Sequence, residues 1–149
     1  MKFCDMPYKR IDFDEAKAEV RNLMEEFQKA ADGEEQFAVH QKYYALTDRV
    51  STQITLSSIR HSLDTADAFY EQEKSYYDEQ VPEYSNLLIA YQKLLYHSPY
   101  RETLEKKIGS VAFKNMELAF ASVNEQVVPL MQEENALTTE YEKLLASAE

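Results

Sequence analysis

An all-α fold of five to six helices follows from three features of the sequence. Only two glycines and four prolines interrupt the 149 residues, too few for the tight reversals of an all-β chain. Apolar residues recur at three and four along most of the chain, the spacing of one helical face. Tyr70, Tyr77, Tyr84 and Tyr91 fall at intervals of seven, as in the seam between two long helices. With 44% hydrophobic residues the chain has material for a real core, and its length suits a single helical domain, residues 1–149.

Residues 1–11 read as an extended lead-in, where Pro7 prevents an early helix and Phe3, Met6 and Tyr8 are available to pack back onto the body. Asp12 is the expected N-cap of the first helix, with Glu15 three residues on as in a capping box. Phe13, Ala16, Val20, Leu23, Met24, Phe27 and Ala31 make its apolar face, and Gly33 is the candidate C-cap. The second helix is expected from about Glu34 to Leu63, with Phe37, Tyr44, Val50, Ile54 and Ile59 buried. At ~1.5 Å per residue it is an arm roughly 45 Å long. Its middle, DRVSTQITLSS, is rich in Ser and Thr, so packing rather than propensity must hold it.

Asp64, Thr65 and Asp67 form a polar corner, with Asp64 or Thr65 as the N-cap of the tyrosine helix. In that helix Val81, Leu88 and Leu95 fill the alternate seam positions, Lys74 breaks the pattern, and Pro82 marks a kink or a fresh helix start. Ser98 and Pro99 open a short helix that pairs Glu102 with Lys106 and stops near Gly109. Residues 110–121 bury Val111 or Ala112, with Phe113, Met116 and Phe120. Asn124 caps a last helix whose apolar face includes Leu137 and Tyr141. The expected architecture is an elongated bundle built on an antiparallel pair, residues 34–64 and 66–98, packed by the first and last helices.

The formal charge of −11, with basic residues scattered, disfavours nucleic acid and anionic membrane surfaces as partners. The opening MKFCDMPYKRIDFDE lacks the apolar segment of a secretory signal. The longest strongly apolar run, residues 87–91, is far below the ~20 residues that span a bilayer. A single cysteine, Cys4, permits no internal disulfide and fits a reducing, cytoplasmic setting.

The search for chemistry is mostly exclusion. His40, His61 and His97 are each followed by a residue other than Glu, so no H-E-x-x-H zinc helix is present. Phe37, Ser58 and Leu94 stand three residues before them, so the Glu-x-x-His pairs of di-iron bundles are missing too. No glycine-rich phosphate loop and no G-x-S-x-G elbow occurs. Glu71, Glu73, Asp78, Glu79 and Glu83 read as a solvated acidic helix face. Arg60, His61 and Asp64 can share a helical face as a charged network that locks the corner. Alternatively, His61 or Arg60 bonds the carbonyls of a bound peptide. The tyrosine seam, Tyr70 and Tyr77 in particular, reads either as packing at a core edge or as the lining of a peptide channel.

The stretch SIRHSLDTADAFY (residues 58–70), with MPYKR (6–10) and EENALTTEYEKLLASA (133–148), resembles the N-terminal region of the oligoendopeptidase F family, relatives of thimet oligopeptidase. The resemblance runs along essentially the whole chain. It implies a mostly helical zinc endopeptidase whose active site lies in a deep channel that admits short unstructured peptides. In the family, zinc is held by the two histidines of H-E-x-x-H and a downstream glutamate, and the motif's own glutamate activates water. None of these has a counterpart here, so no catalytic or metal residue is carried over. The resemblance therefore implies a channel-shaping segment, predicted inactive by itself, that stops before the catalytic half. Its partners would be that half and, in the parent enzyme, short peptides, with zinc in the parent chain only. The alternative is a stand-alone acidic helical module that presents its arm or tyrosine seam to another protein.

Overall fold

Asp12 sets where the first helix starts: its Oδ1 accepts from the backbone N–H of Asp14 at 3.0 Å and of Glu15 at 3.1 Å. Two of the orphan donors of a helix start are thereby satisfied, and α1 runs Phe13–Lys29. Asp32 repeats the device on Glu34 and Glu35, both at 2.9 Å, and begins α2, Gly33–Leu63. Asp67 does so again on Phe69 and Tyr70, and begins α3, Ala68–Tyr96. Then follow α4, Arg101–Ile108, and α5, Ser110–Ser122. This computed structural model describes residues 6–64, 66–122, 137 and 141, and among them it contains helices and no strand.

The chain divides into two compact units, Met1–Lys107 and Ile108–Glu149. In the first, α2 and α3 lie antiparallel, since Tyr43 meets Tyr91 while Arg60 meets Tyr70. Helix α1 packs along both: Phe13 meets Tyr77 and Tyr84, and Phe27 meets Tyr91. The core consists of the face Phe13, Ala16, Val20, Leu23 and Phe27 of α1 against Tyr77, Tyr84, Tyr91 and Leu95 of α3, with Val39, Tyr43, Leu46 and Val50 from α2. Each buried ring removes on the order of 150–250 Å² from water, so these aromatics dominate the packing. In the second unit α5 buries Phe113, leaves Ala112 half-covered and exposes Val111. The expected helix after Asn124 lies outside the described residues, apart from Leu137 and Tyr141, which are helical and exposed.

Several local expectations are corrected. Gly33 does not end α1, which stops at Lys29; it is the first residue of α2. A Cβ there would stand 2.8 Å from Thr103 Cβ and 3.2 Å from Tyr100 Cβ, so glycine serves close approach and not a left-handed turn. Asp64 closes α2 as its C-cap, and the N-cap of α3 is Asp67; Thr65 lies outside the described residues. The buried face of α2 is Gln36, Val39, Tyr43, Leu46 and Val50, continued by Leu56 and Ser57, while Tyr44 and Ile59 face solvent at 61% and 40% exposure. Helix α3 continues through Pro82 without a second start. The short helix begins at Arg101, behind a turn in which Ser98 Oγ accepts from the Tyr100 N–H at 3.0 Å. The Glu102–Lys106 pair forms as expected, at 2.8 Å, and Gly109 takes a positive φ of 105° just past the helix end.

Tyr43 and Tyr91 stack with centroids 3.8 Å apart, and the His40 ring lies nearly parallel at 6.1 Å from Tyr91. Burial pulls the His40 imidazole below its ordinary value of 6.5, because a charged ring loses more hydration than a neutral one.

Two outcomes are expected. Gly33→Ala should lower the urea midpoint: crowding Thr103 costs about 1–3 kcal/mol, more than the gain of up to about 1 kcal/mol from helix propensity. A raised midpoint would refute the close-approach account. For His40, the unfolded chain takes up the proton first as pH falls below 6.5, so stability present above that value declines on acidification. His40→Gln should flatten the fall in urea midpoint between about pH 7 and 5.

Candidate functional site

The feature with most chemistry is a carboxylate that the sequence places on an acidic face and the fold buries. Glu73 is 0% exposed. It lies three residues after Tyr70 on the buried side of α3, while Lys74, at the position the seam spacing assigns to the core, faces solvent. Its partners come from the lead-in. Arg10 Nε donates to Glu73 Oε1 at 2.7 Å, and Arg10 Nη2 donates to the same oxygen. The Tyr8 hydroxyl donates to Oε2 and lies 3.1 Å from the Tyr77 hydroxyl. Burial pushes the Glu73 carboxyl up, but hydrogen bonds from Arg10 and Tyr8 outweigh it and hold the group below its ordinary range. Burial and the adjoining carboxylate push the Tyr8 hydroxyl up, so it stays a donor.

Around this carboxylate the lead-in is tied down along its backbone. Tyr77 Oη accepts from the Ile11 N–H at 3.3 Å, and the Tyr76 hydroxyl donates to the Ile11 carbonyl at 2.9 Å. From α2, Gln53 Oε1 accepts from the Lys9 N–H at 2.8 Å, and Arg60 Nη2 donates to the Met6 carbonyl at 2.5 Å. The Arg10 guanidinium also covers the Tyr76 ring, 4.8 Å from its centroid, a placement with cation–π attraction.

The residues singled out from sequence separate into two groups. Arg60 is joined to Tyr70, whose hydroxyl accepts from Nη1 at 2.9 Å, and His61 Nε2 lies 2.6 Å from Glu71 Oε2. Both side chains thus reach from α2 to α3 beside the corner. The Asp64 side chain does not join them: its Oδ1 accepts from the Ala66 N–H at 3.0 Å, and Asp64 meets Arg60 only through the backbone, its N–H donating to the Arg60 carbonyl at 3.2 Å. Tyr77 is buried with its hydroxyl engaged, and Tyr70 is half-buried. Sequence reasoning missed Glu73, Arg10, Tyr8, Gln53 and Tyr76. No periodic signal marks Glu73, since seven residues on from it stands Gln80, and the alternate seam position of Val81, Leu88 and Leu95 falls on Lys74.

A second polar knot joins α1, α2 and the turn before α4. Gln36, 4% exposed, donates from Nε2 to the Phe27 carbonyl at 3.1 Å and accepts from the Ser98 hydroxyl. The Tyr100 hydroxyl donates to the Ala31 carbonyl at 2.6 Å. An open cavity of 490 Å³ adjoins this knot, lined by Phe27, Leu94 and Pro99 with Lys93 and His97. Among the described residues no group of His, Cys, Asp and Glu is arranged to hold a metal ion, and no helix is long and apolar enough to cross a membrane.

Glu73→Gln should destabilise the chain by about 1–3 kcal/mol, since two donors lose a charged acceptor. A carboxylate held below its unfolded value of 4.5 contributes stability above that pH and loses it as pH falls through the folded value. The gap in urea midpoint between wild type and Glu73→Gln should therefore be full near neutrality and narrow below about pH 4.5. A gap that stays constant to pH 3 would contradict a charged Glu73.

Residues 3–123 match the model of the peptidase M3 N-terminal domain. Among solved structures, PZ peptidase A, determined with an inhibitor, is 37% identical and superposes with a TM-score of 0.86. A protein from Bacillus anthracis assigned as an oligoendopeptidase F also gives 37% and 0.86, and a further one so assigned gives 34% and 0.86. Each comparison covers 99% of this chain and 26%, 26% or 27% of the other. The chain thus spans about a quarter of the length of the solved structures it matches. No curated protein matches it. A family model covering most of the sequence and a shared fold at this identity lead to one assignment: the chain belongs to the peptidase M3 family and corresponds to its N-terminal domain.

Proposed function

We propose that residues 1–149 are one helical segment of a longer zinc-dependent oligoendopeptidase, where they shape and restrict a channel for short unfolded peptides. The match of residues 3–123 to the M3 N-terminal domain carries this reading. The arrangement of α1, α2 and α3 supports a wall: three long helices are tied to one another and to the lead-in by buried polar contacts, giving a rigid surface rather than a reactive one. The residues present do not fit zinc. The sequence has no H-E-x-x-H, so the metal and the activated water belong to the catalytic part, which is the proposed partner. Neither nucleic acid nor membrane is a proposed partner, and the proposed setting is the cytoplasm, consistent with the charge of −11 and the single cysteine.

Within this reading Arg60 and His61 lock the corner between α2 and α3, as their bonds to Tyr70 and Glu71 support, and Asp64 terminates α2. The engaged hydroxyls of Tyr70 and Tyr77 favour packing over channel lining for both.

The 149-residue chain alone is expected to bind no stoichiometric zinc and to cleave no peptide. Elemental analysis after dialysis and a quenched fluorogenic peptide assay check this, and a stoichiometric metal or a turnover above background would refute it. Reading the coding sequence past residue 149 supplies the complementary test, since the proposal requires an H-E-x-x-H downstream.

A further inference from the structure

Residues 6–11 form neither helix nor strand, yet their backbone is bound at four points by side chains of two different helices. Arg60 and Gln53 of α2 take the Met6 carbonyl and the Lys9 N–H. Tyr77 and Tyr76 of α3 take the N–H and the carbonyl of Ile11. Backbone groups exist in every peptide, so these contacts confer affinity without reading sequence. Selectivity comes from Tyr8 and Arg10, which converge on the two oxygens of the buried Glu73 carboxylate, while the Tyr8 ring meets Phe69 and Tyr70 edge-on. A main-chain grip that gives affinity, combined with side-chain pockets that give specificity, is one of the ways protein surfaces recognise extended peptide segments.

We propose that the α2–α3 face around Glu73 is a binding site for a peptide segment presenting tyrosine and, two residues on, arginine, and that the chain's own residues 6–11 fill it in cis. The fit follows from charge: a carboxylate that the segment seals from water calls for a cation and further hydrogen-bond donors, and Arg10 and Tyr8 deliver both from one short segment. Because the occupant is tethered directly to α1 through Asp12, its effective concentration is roughly millimolar or higher. The site is therefore closed to weaker peptides and opens to a matching one when the tether's own anchors are weakened. This inference does not depend on the peptidase reading.

The test uses the full 149-residue chain and a fluorescein-labelled, end-blocked peptide of sequence MPYKRID. In a Tyr8→Ala/Arg10→Ala variant the occupant is weakened and the groove residues are intact. Fluorescence anisotropy should show this variant binding the peptide about tenfold or more tighter than wild type does, and about tenfold or more tighter than it binds MPAKAID. A variant that keeps its helical circular dichroism and cooperative melt but binds both peptides alike overturns the proposal. Should the variant fail to fold, hydrogen exchange on wild type decides. Millimolar unlabelled MPYKRID should speed exchange of the Lys9 and Ile11 amides several-fold and leave those of Tyr43 and Tyr91 unchanged. Exchange at Lys9 and Ile11 that the peptide does not alter overturns it equally.

Discussion

A carboxylate sealed from water cannot remain charged unless the fold brings it partners, and Glu73 obtains its partners from residues more than sixty positions earlier. This requirement organises the first unit. To reach Glu73, Tyr8 and Arg10 must cross the α2–α3 face, which places Asp12 at the head of α1 and Phe13 directly beneath Tyr77 and Tyr84. From that anchor the α1 face follows at helical spacing to Phe27, which meets Tyr91. Lys17, one turn along from Phe13, is buried along its stem while Nζ reaches Glu83 Oε2 at 2.8 Å, the usual way a long cationic side chain covers apolar surface.

The tyrosines take their place in the same scheme. A phenylalanine seam would bury as much ring surface but would supply no hydroxyls for the lead-in. Tyr76 and Tyr77 use theirs on the Ile11 backbone, and Tyr70 accepts from Arg60. Deeper in the bundle the hydroxyls have less to do: burial pushes Tyr84 up to about 12, and its oxygen has no hydrogen-bond partner among the described residues. The polar tips are thus concentrated at the end of α3 where the lead-in docks.

Much of this was legible in the sequence. Asp12 announced itself because a cap is a local signal, and the seven-residue spacing of Tyr77, Tyr84 and Tyr91 because periodicity survives without tertiary information. On α2 the buried face holds the expected Val50 but neither Tyr44 nor Ile59, for a physical reason. Its buried row includes Gln36 and Ser57, while large apolar residues, Tyr44 and Ile59, occupy exposed positions, so hydrophobicity pointed to the wrong side. Gly33 was misassigned because a glycine between two helices suits a C-cap and a close approach equally, and only the position of Thr103 decides. Glu73 was hidden among exposed carboxylates, since its partners lie too far away in sequence for any window to join them.

A seam of near-identical rings at intervals of seven has a weakness that the polar contacts correct. If α1 slid along α3 by one heptad toward the start of α3, Phe13 would leave Tyr77 and Tyr84 for Tyr70 and Tyr77, Phe27 would leave Tyr91 for Tyr84, and most ring contacts would be regained. Hydrophobic burial alone discriminates poorly between such registers, because it is non-directional and scales with area. In the slipped arrangement, however, Arg10 and Tyr8 would move about 10 Å from Glu73, at ~1.5 Å rise per residue. The carboxylate would then lose its partners, and the Lys17–Glu83 and Gln36–Phe27 contacts would break with it. Removing one partner of a buried charge costs on the order of 3–5 kcal/mol, a large part of the about 5–15 kcal/mol by which a domain is stable. Exposed ion pairs such as Lys29–Glu25 and Lys74–Asp78 cannot do this, since they survive any sliding of one helix past another and contribute little. The rings supply most of the cohesion of this bundle, and the few buried polar groups decide which of its possible alignments is the native one.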